Sequence, residues 1–293
     1  MTRILVIGNA TVDFVFRMAR WPAPGETVLA DEMTQSPGGK GLNQAVAAAR
    51  LGVRVELLAP IGQDANASFI DEALRGETGL TPHWRPREAP TDISTIWTIE
   101  AGENQIVSSA ACARSLRPEE LGPVATLASG DILLLQGNLG AETTVAAARL
   151  ARARGASVLL NTAPIWWDMS EMLCLADLVV GNEPEIGMLA GGTAPEDLAA
   201  LRGRCAGDIV MTRGARGALL LQAGQAEAFP APKVEVVNTA GAGDMAIGAI
   251  AALRAGALPL PEAIERAMAL AARTVGRAGV LSAFPTMAEL RGV

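Results

Sequence analysis

This chain is poor in the side chains that most often do chemistry. Among its 293 residues are one histidine, no tyrosine, three cysteines and only two lysines, Lys40 and Lys233, against 22 arginines. Each shortage narrows the reading. His83 stands alone in Thr81-Pro82-His83-Trp84-Arg85-Pro86, a Pro- and Arg-rich stretch where a histidine reads as a surface or loop residue and not a catalyst, so acid–base chemistry falls to Asp or Glu. Cys112, Cys174 and Cys205 are widely separated and odd in number, which gives neither a disulfide framework nor a zinc-ligand spacing and suits a reducing, cytoplasmic setting. No apolar run reaches the ~18–20 residues of a membrane span. The N-terminus carries no signal-peptide pattern, so the chain reads as soluble and unprocessed. Positive charge is short as well. A net charge of −7 repels nucleic acid and anionic membranes, which leaves small molecules as the expected partners.

Apolar residues are what the chain has in plenty, at 50%, enough for a large core at this length. Strand-like runs alternate with Ala-rich helical patterns at Ile4–Gly8, Asn43–Leu51, Val53–Pro60 and Ala65–Leu74. The rhythm resumes at Asp131–Gln136, Thr143–Arg154, Ala156–Asn161, Leu173–Gly181 and Asp208–Thr212. It predicts an α/β fold around a parallel sheet. Runs such as Ile132-Leu133-Leu134-Leu135 predict strands covered on both faces. Phe14–Pro37 and Thr91–Ala111 break the rhythm with short alternating segments, the pattern of antiparallel strands with one wet face. Paired, they would form a small second sheet placed as a lid. Ala242–Ala255 and Pro261–Arg277 read as long helices, and the tail after Pro285 as one short helix.

Two glycine-rich turns carry the chemistry. Gly38-Gly39-Lys40-Gly41-Leu42-Asn43-Gln44-Ala45 runs into a helix, where glycines admit a ligand to the backbone and first-turn N–H groups bind oxygen. One of the two lysines sits there, a compact charge with three donors. Asn238-Thr239-Ala240-Gly241-Ala242-Gly243-Asp244 leads into the first of the long helices. Its Gly-Ala-Gly can form an anion nest for phosphate oxygens, with Asp244 beside it in the first turn. Asp244 also suits plain helix capping, but capping does not need Gly-Ala-Gly. By contrast, Gly8-Asn9-Ala10-Thr11 lacks the G-x-G-x-x-G spacing of a dinucleotide site.

These motifs, in this order and about 200 residues apart, are similar to the two signatures of the ribokinase-like (PfkB) family of carbohydrate kinases. The resemblance extends over Gly8–Asp13, Asn182–Glu185 and Thr212–Gly217. It implies a three-layer α/β/α Rossmann-like domain over residues 1–293, with a discontinuous β-sheet lid at about 14–37 and 91–111. It also implies phosphoryl transfer from ATP, with Mg²⁺, to a hydroxyl of a sugar, foremost a pentose such as D-ribose. Carried over by position, Asp244 is the base, and the amides of Gly241, Ala242 and Gly243 stabilise the transferring group. That is coherent for a reaction made mainly of positioning and charge stabilisation. Asp13, Gly38, Gly39, Lys40, Asn43 and Asn138 are the implied sugar site. A carboxylate such as Asp13 accepts from two adjacent hydroxyls, although Asp13 also reads as a strand-end cap. Asn182, Thr212, Gly214 and Gly217 are implied along the nucleotide, with Glu185 near Mg²⁺ through water. On their own, Asn182 and Glu185 read equally well as a helix N-cap and its capping-box partner. The resemblance further implies a homodimer formed through the lids.

Two positions depart from the family pattern. Asn238 stands where the C-terminal signature begins with Asp, part of a monovalent-cation site in the family. An amide offers a neutral oxygen there, so weak dependence on K⁺ is expected. Asn138 stands where sugar kinases of the family have Glu, and an amide donates as well as accepts, which alters the hydroxyl pattern recognised. Nucleoside kinases of the same family are the alternative activity. A noncatalytic sugar or nucleotide sensor is another, though a sensor has no need of Asp244. Phe14, Phe16, Trp21 and Trp97 fall in the lid segments, as a pocket cover or as packing, and Trp166-Trp167 reads as core or rim.

Overall fold

The computed structural model describes residues 2–99, 104–286 and 289. The chain begins β1 (Arg3–Ile7), β2 (Thr11–Met18), β3 (Glu32–Gly38), α1 (Lys40–Ala49), β4 (Arg54–Gly62), α2 (Ala65–Leu74) and β5 (Leu80–Arg87). It continues β6 (Ile93–Ile99), β7 (Asn104–Ser108), α3 (Ala111–Arg114), β8 (Ile132–Leu135), α4 (Ala141–Ala153), β9 (Ser157–Asn161), α5 (Ser170–Leu175) and β10 (Leu178–Asn182). Then come α6 (Glu183–Ala190), α7 (Pro195–Arg204), β11 (Asp208–Thr212), β12 (Ala218–Gln222), β13 (Gln225–Phe229), α8 (Ala242–Ala255) and α9 (Leu260–Val275).

Nine strands form the main sheet in the order β13-β12-β11-β10-β9-β8-β1-β4-β5. All neighbours from β5 to β11 are parallel, and β12 and β13 finish the far edge as an antiparallel hairpin. Side chains alternate across a strand, and β1 shows the result. Ile4 and Val6 enter one core with α1, α2, α8 and α9, while Leu5 and Ile7 enter a second with α4, α5 and α7. The protein is thus the three-layer α/β/α structure that the apolar runs predict. Strand order reverses between β1 and β8, and in open α/β sheets the crevice beyond such a switch point takes the ligand.

The small sheet has the order β3-β2-β6-β7. Its outer pairs are antiparallel, as expected, but the two segments meet through a parallel pair, β2 with β6. That pairing joins strands separated by everything from β3 to β5, so no hairpin turn dictates its direction. The Leu173–Gly181 run divides into the end of α5 and the start of β10, and the expected tail helix lies largely outside the described residues.

His83 is a surface residue but not a loop one: it lies within β5, an edge strand of the main sheet, with its side chain partly exposed. Pro82 and Pro86 are tolerated there because an edge strand leaves one row of N–H positions unpaired. The His83 ring is hydrogen-bonded to buried Glu56 at 2.9 Å, and Arg3 and Arg54 donate to the same carboxylate at 2.7 and 3.2 Å. Burial alone would raise the Glu56 pKa, but the bonds from Arg3 and His83 hold it below its usual value. A lowered carboxyl contributes stability above its unfolded pKa of about 4.3, lost as pH falls through the lower folded value. Glu56→Gln should therefore lower Tm at neutral pH by roughly 3–6 °C, as expected for roughly 1.5–2 kcal/mol. The gap to wild type should close below about pH 4, as thermal melts across pH would record.

Candidate active site

The C-terminal ends of β1 and β8 open onto a cavity of about 490 Å³. Its wall includes Asn9, Asp13, Gly39, Lys40, Asn43, Asn138, Gly241 and Asp244, so residues from both glycine-rich turns meet although about 200 positions separate them. What brings them together is the packing of α8 on α1. Gly248 makes this possible: a Cβ there would come within 2.6 Å of the Ala47 Cβ and of the Gln44 carbonyl oxygen. With the helices this close, Asn43 Nδ2 donates to Asp244 Oδ2 at 3.0 Å and Gln44 Nε2 donates to Oδ1 at 2.9 Å. Lys40 Nζ lies 3.9 Å from Oδ1.

Asp244 stands in the first turn of α8, whose N-cap Gly241 takes the left-handed conformation at φ 78°. The first four N–H groups of a helix have no partner within it, and they make this end attractive to anions. Space is open above Gly243, where an added Cβ would meet nothing within 4 Å.

Asp13 faces the same cavity from β2 and is 6% exposed. Burial pushes its pKa up, Thr11 and Ser94 pull it back by hydrogen bonding, and the nearby Asp244 charge adds to the rise. Thr11 Oγ1 donates to Asp13 Oδ1 at 2.7 Å, and Gly38 on the facing strand leaves room for the carboxylate. Asn138 lines the wall with its Oδ1 buried and unpaired.

Asn182, Glu185, Thr212, Gly214, Gly217 and Asn238 are not in this wall. Asn182 and Thr212 are register partners at the ends of β10 and β11, farther along the same sheet edge. Glu185 is the capping-box residue: Oε2 accepts from Asn182 N and Thr162 Oγ1, both at 3.0 Å, and Oε1 accepts from Asn182 Nδ2 at 2.8 Å. Gly214 and Gly217 turn the chain after β11, both at positive φ. Among the described residues no group of three or more His, Cys, Asp or Glu is placed to hold a metal ion. Asn238 Nδ2 donates to Gly279 O at 3.1 Å and its Oδ1 accepts from Ala240 N at 2.9 Å.

Several wall residues were not singled out from the sequence, among them Ser94, Ser108 and Arg114. Arg114 stacks on Trp166, 3.9 Å from the ring centroid, and Trp166 Nε1 donates to Gly137 O at 2.6 Å, so the tryptophan is a rim residue. The apolar cover is Ile96 and Ile106. Phe16 and Trp97 are register partners on the opposite face of the small sheet from Asp13, and Phe14 packs on the core, which removes them as pocket cover. Neither buried cysteine is a ready nucleophile, because burial pushes Cys112 and Cys205 up to about 11.

A buried carboxylate beside a second one, at the N-terminus of a helix entered through Gly-Ala-Gly, is an arrangement for taking a proton from a hydroxyl next to an anion site. The family model of the pfkB carbohydrate kinases matches residues 1–287. The chain belongs to the pfkB family. It is therefore a phosphotransferase acting on a hydroxyl group. This kinase is 30% identical to a ribokinase of Mus musculus over 98% of its own length and 93% of that protein's. Among solved structures it is similar to the ribokinase of Thermotoga maritima, with a TM-score of 0.90, 28% identity, and 100% and 99% of the two chains covered. The ribokinase of Arabidopsis thaliana, complexed with ribose and ATP, shares the fold at a TM-score of 0.86 and 24% identity, with 100% and 98% covered.

Proposed function

We propose that this kinase transfers the γ-phosphoryl group of ATP to a hydroxyl of a free pentose, with D-ribose the leading substrate. The observation that carries the reading is the meeting of Asp13 and Asp244 in one cavity at the N-terminus of α8. Asp13 accepts from sugar hydroxyls, while Lys40, Asn43 and Asn138 donate to sugar oxygens and Gly38 and Gly39 admit the ring. Asp244 takes the proton of the attacking hydroxyl, and the amides of Gly241, Ala242 and Gly243 face the transferring group. Asn182, Thr212, Gly214 and Gly217 follow the nucleotide phosphates along the sheet edge.

Mg²⁺ fits this site in a limited way. Glu185 has three of its roughly four lone-pair positions occupied. It therefore suits contact through water to an ion held mainly by phosphates, whose contribution is to neutralise phosphate charge. Asn238 suits a monovalent cation poorly, because its neutral Oδ1 already accepts from Ala240 N while its Nδ2 ties the loop to Gly279. Rates measured as K⁺ replaces a bulky organic cation should stay nearly level, and a large saturable rise would sink this point.

The small sheet serves as the lid of a single kinase domain spanning the chain. Exposed Met33 and Val107 on its outer face suit pairing with a second copy, which the mass in solution would check. No helix among the described residues is long and apolar enough to cross a membrane, and the three free cysteines suit the cytoplasm.

A second reading, a nucleoside kinase, draws on the flat Arg114–Trp166 pair at the rim, which offers a surface for a base. A coupled ADP-release screen across pentoses, hexoses, keto-deoxy acids and nucleosides separates the readings. ADP with D-ribose is the expected result. ADP with nucleosides but not ribose would replace the first reading with the second, and none with any acceptor would leave a sensor.

A further inference from the structure

We propose that Gln136 is a positioning residue for the transfer, acting on Asp244 through a relay of buried amides formed with Gln44 and Asn161; this rests on the reading of Asp244 as the base. The relay starts at a backbone carbonyl. Val180 O can only accept, so Asn161 turns its Nδ2 toward it, at 3.1 Å. Asn161 Oδ1 then faces Gln44 and accepts from Nε2 at 3.0 Å. With Nε2 on that side, Gln44 also donates to Asp244 Oδ1 at 2.9 Å, while its Oε1 accepts from Gln136 Nε2 at 2.9 Å.

Gln136 Oε1 ends the relay, buried and without a partner. It occupies space that Gly8 leaves free, since a Cβ at Gly8 would lie 2.0 Å from it. An unpaired buried acceptor is unfavourable, yet turning the Gln136 amide over would set its oxygen against Gln44 Oε1. Gln44 and Gln136 are fully buried and Asn161 is 2% exposed, so bulk water does not choose these orientations. The neighbouring amides do.

The consequence reaches the base. A reversed Gln44 amide would press its oxygen against both Asp244 and the Asn161 oxygen. In the observed orientation each Asp244 oxygen receives one N–H, from Gln44 and from Asn43, and the carboxylate is held at a fixed angle. Gln136 makes no hydrogen bond to Asp244, but together with Asn161 it sets which end of Gln44 does.

Polarity reversal at constant shape tests this. In Gln136→Glu the introduced carboxyl, once ionised, only accepts, so it draws Gln44 Nε2 to itself and turns Oε1 onto Asp244. Protonated, it donates as the native amide does. The ratio of variant to wild-type kcat should therefore fall about 10-fold as pH rises through the titration of that carboxyl, with the sugar KM unchanged. Gln136→Met, similar in length and without polarity, should lose less and show a ratio flat with pH. A merely structural role would give flat ratios for both variants, ordered by their Tm.

A flat Gln136→Glu ratio in an enzyme that Asp244→Asn inactivates would overturn the relay. Near-wild-type turnover in Asp244→Asn would overturn the base reading instead. Should Gln136→Glu fail to fold, a double-mutant cycle of Gln44→Met and Gln136→Met decides. The Gln136→Met loss should vanish once Gln44 is replaced, and an equal loss in both backgrounds would overturn the proposal.

Discussion

Asp244→Asn should lower kcat by at least ~10²-fold, the scale typical for losing a general base, while nucleotide still binds. The geometry makes the loss specific. Asn43 and Gln44 both donate to this side chain, so an amide at 244 can accept from one of them but must turn its own N–H toward the other. The variant loses the proton acceptor and also the symmetric clamp that aims it. The first-turn amides of α8 belong to the backbone and survive the change, as do the residues at the ends of β10 and β11. Turnover by ADP release and nucleotide affinity by calorimetry should therefore separate. A variant near the wild-type rate would show that another group takes the proton, and the cavity offers Asp13 as the next carboxylate.

Much of this arrangement is legible in the chain because it is local. The helix predicted at Ala65–Leu74 is observed at those bounds, with Asp64 capping it through a bond from Ala67 N. Ala242–Ala255 likewise matches. In each case the apolar period and the end signals agree. The glycine-rich turns are legible for the same reason. The β12–β13 hairpin is not, since its short strands lack the strand–helix rhythm that marks the parallel part of the sheet.

Long-range pairing is harder to read. Gln44 sits inside the N-terminal motif, yet nothing in its neighbourhood shows that it meets Asn161, Gln136 and Asp244, which lie 92 to 200 positions away. Those meetings depend on the close approach of α1 and α8 and on the order of β1, β8 and β9. Trp97 shows the opposite failure. Alternation places it on a face, but only its pairing with Phe16 tells which face looks away from the cavity.

Asp13→Asn should weaken sugar use and at the same time raise the stability of the sugar-free protein. The two effects have one source. Asp13 is a carboxylate kept in a place that disfavours its charge: burial raises its pKa, the bonds from Thr11 and Ser94 compensate only in part, and Asp244 adds repulsion. For a carboxyl raised in the folded state the sign is opposite to that of Glu56. Its cost is absent below the unfolded pKa and present in full above the raised folded one. The asparagine variant keeps the shape and an acceptor for Thr11 without that cost, so its Tm should exceed wild type at neutral pH. The gain should fade as the pH is lowered through the raised pKa of the native carboxyl. Hydrogen bonds to a charged group contribute about 1.5–3 kcal/mol each, so kcat/KM for the sugar should fall by roughly 10- to 100-fold, chiefly through KM. A variant that loses stability along with sugar affinity would mean that Asp13 is a structural cap of β2. An unchanged sugar KM would remove it from the site. The expected combination, weaker binding with a higher Tm, marks a charge held against its own solvation preference so that a substrate can satisfy it.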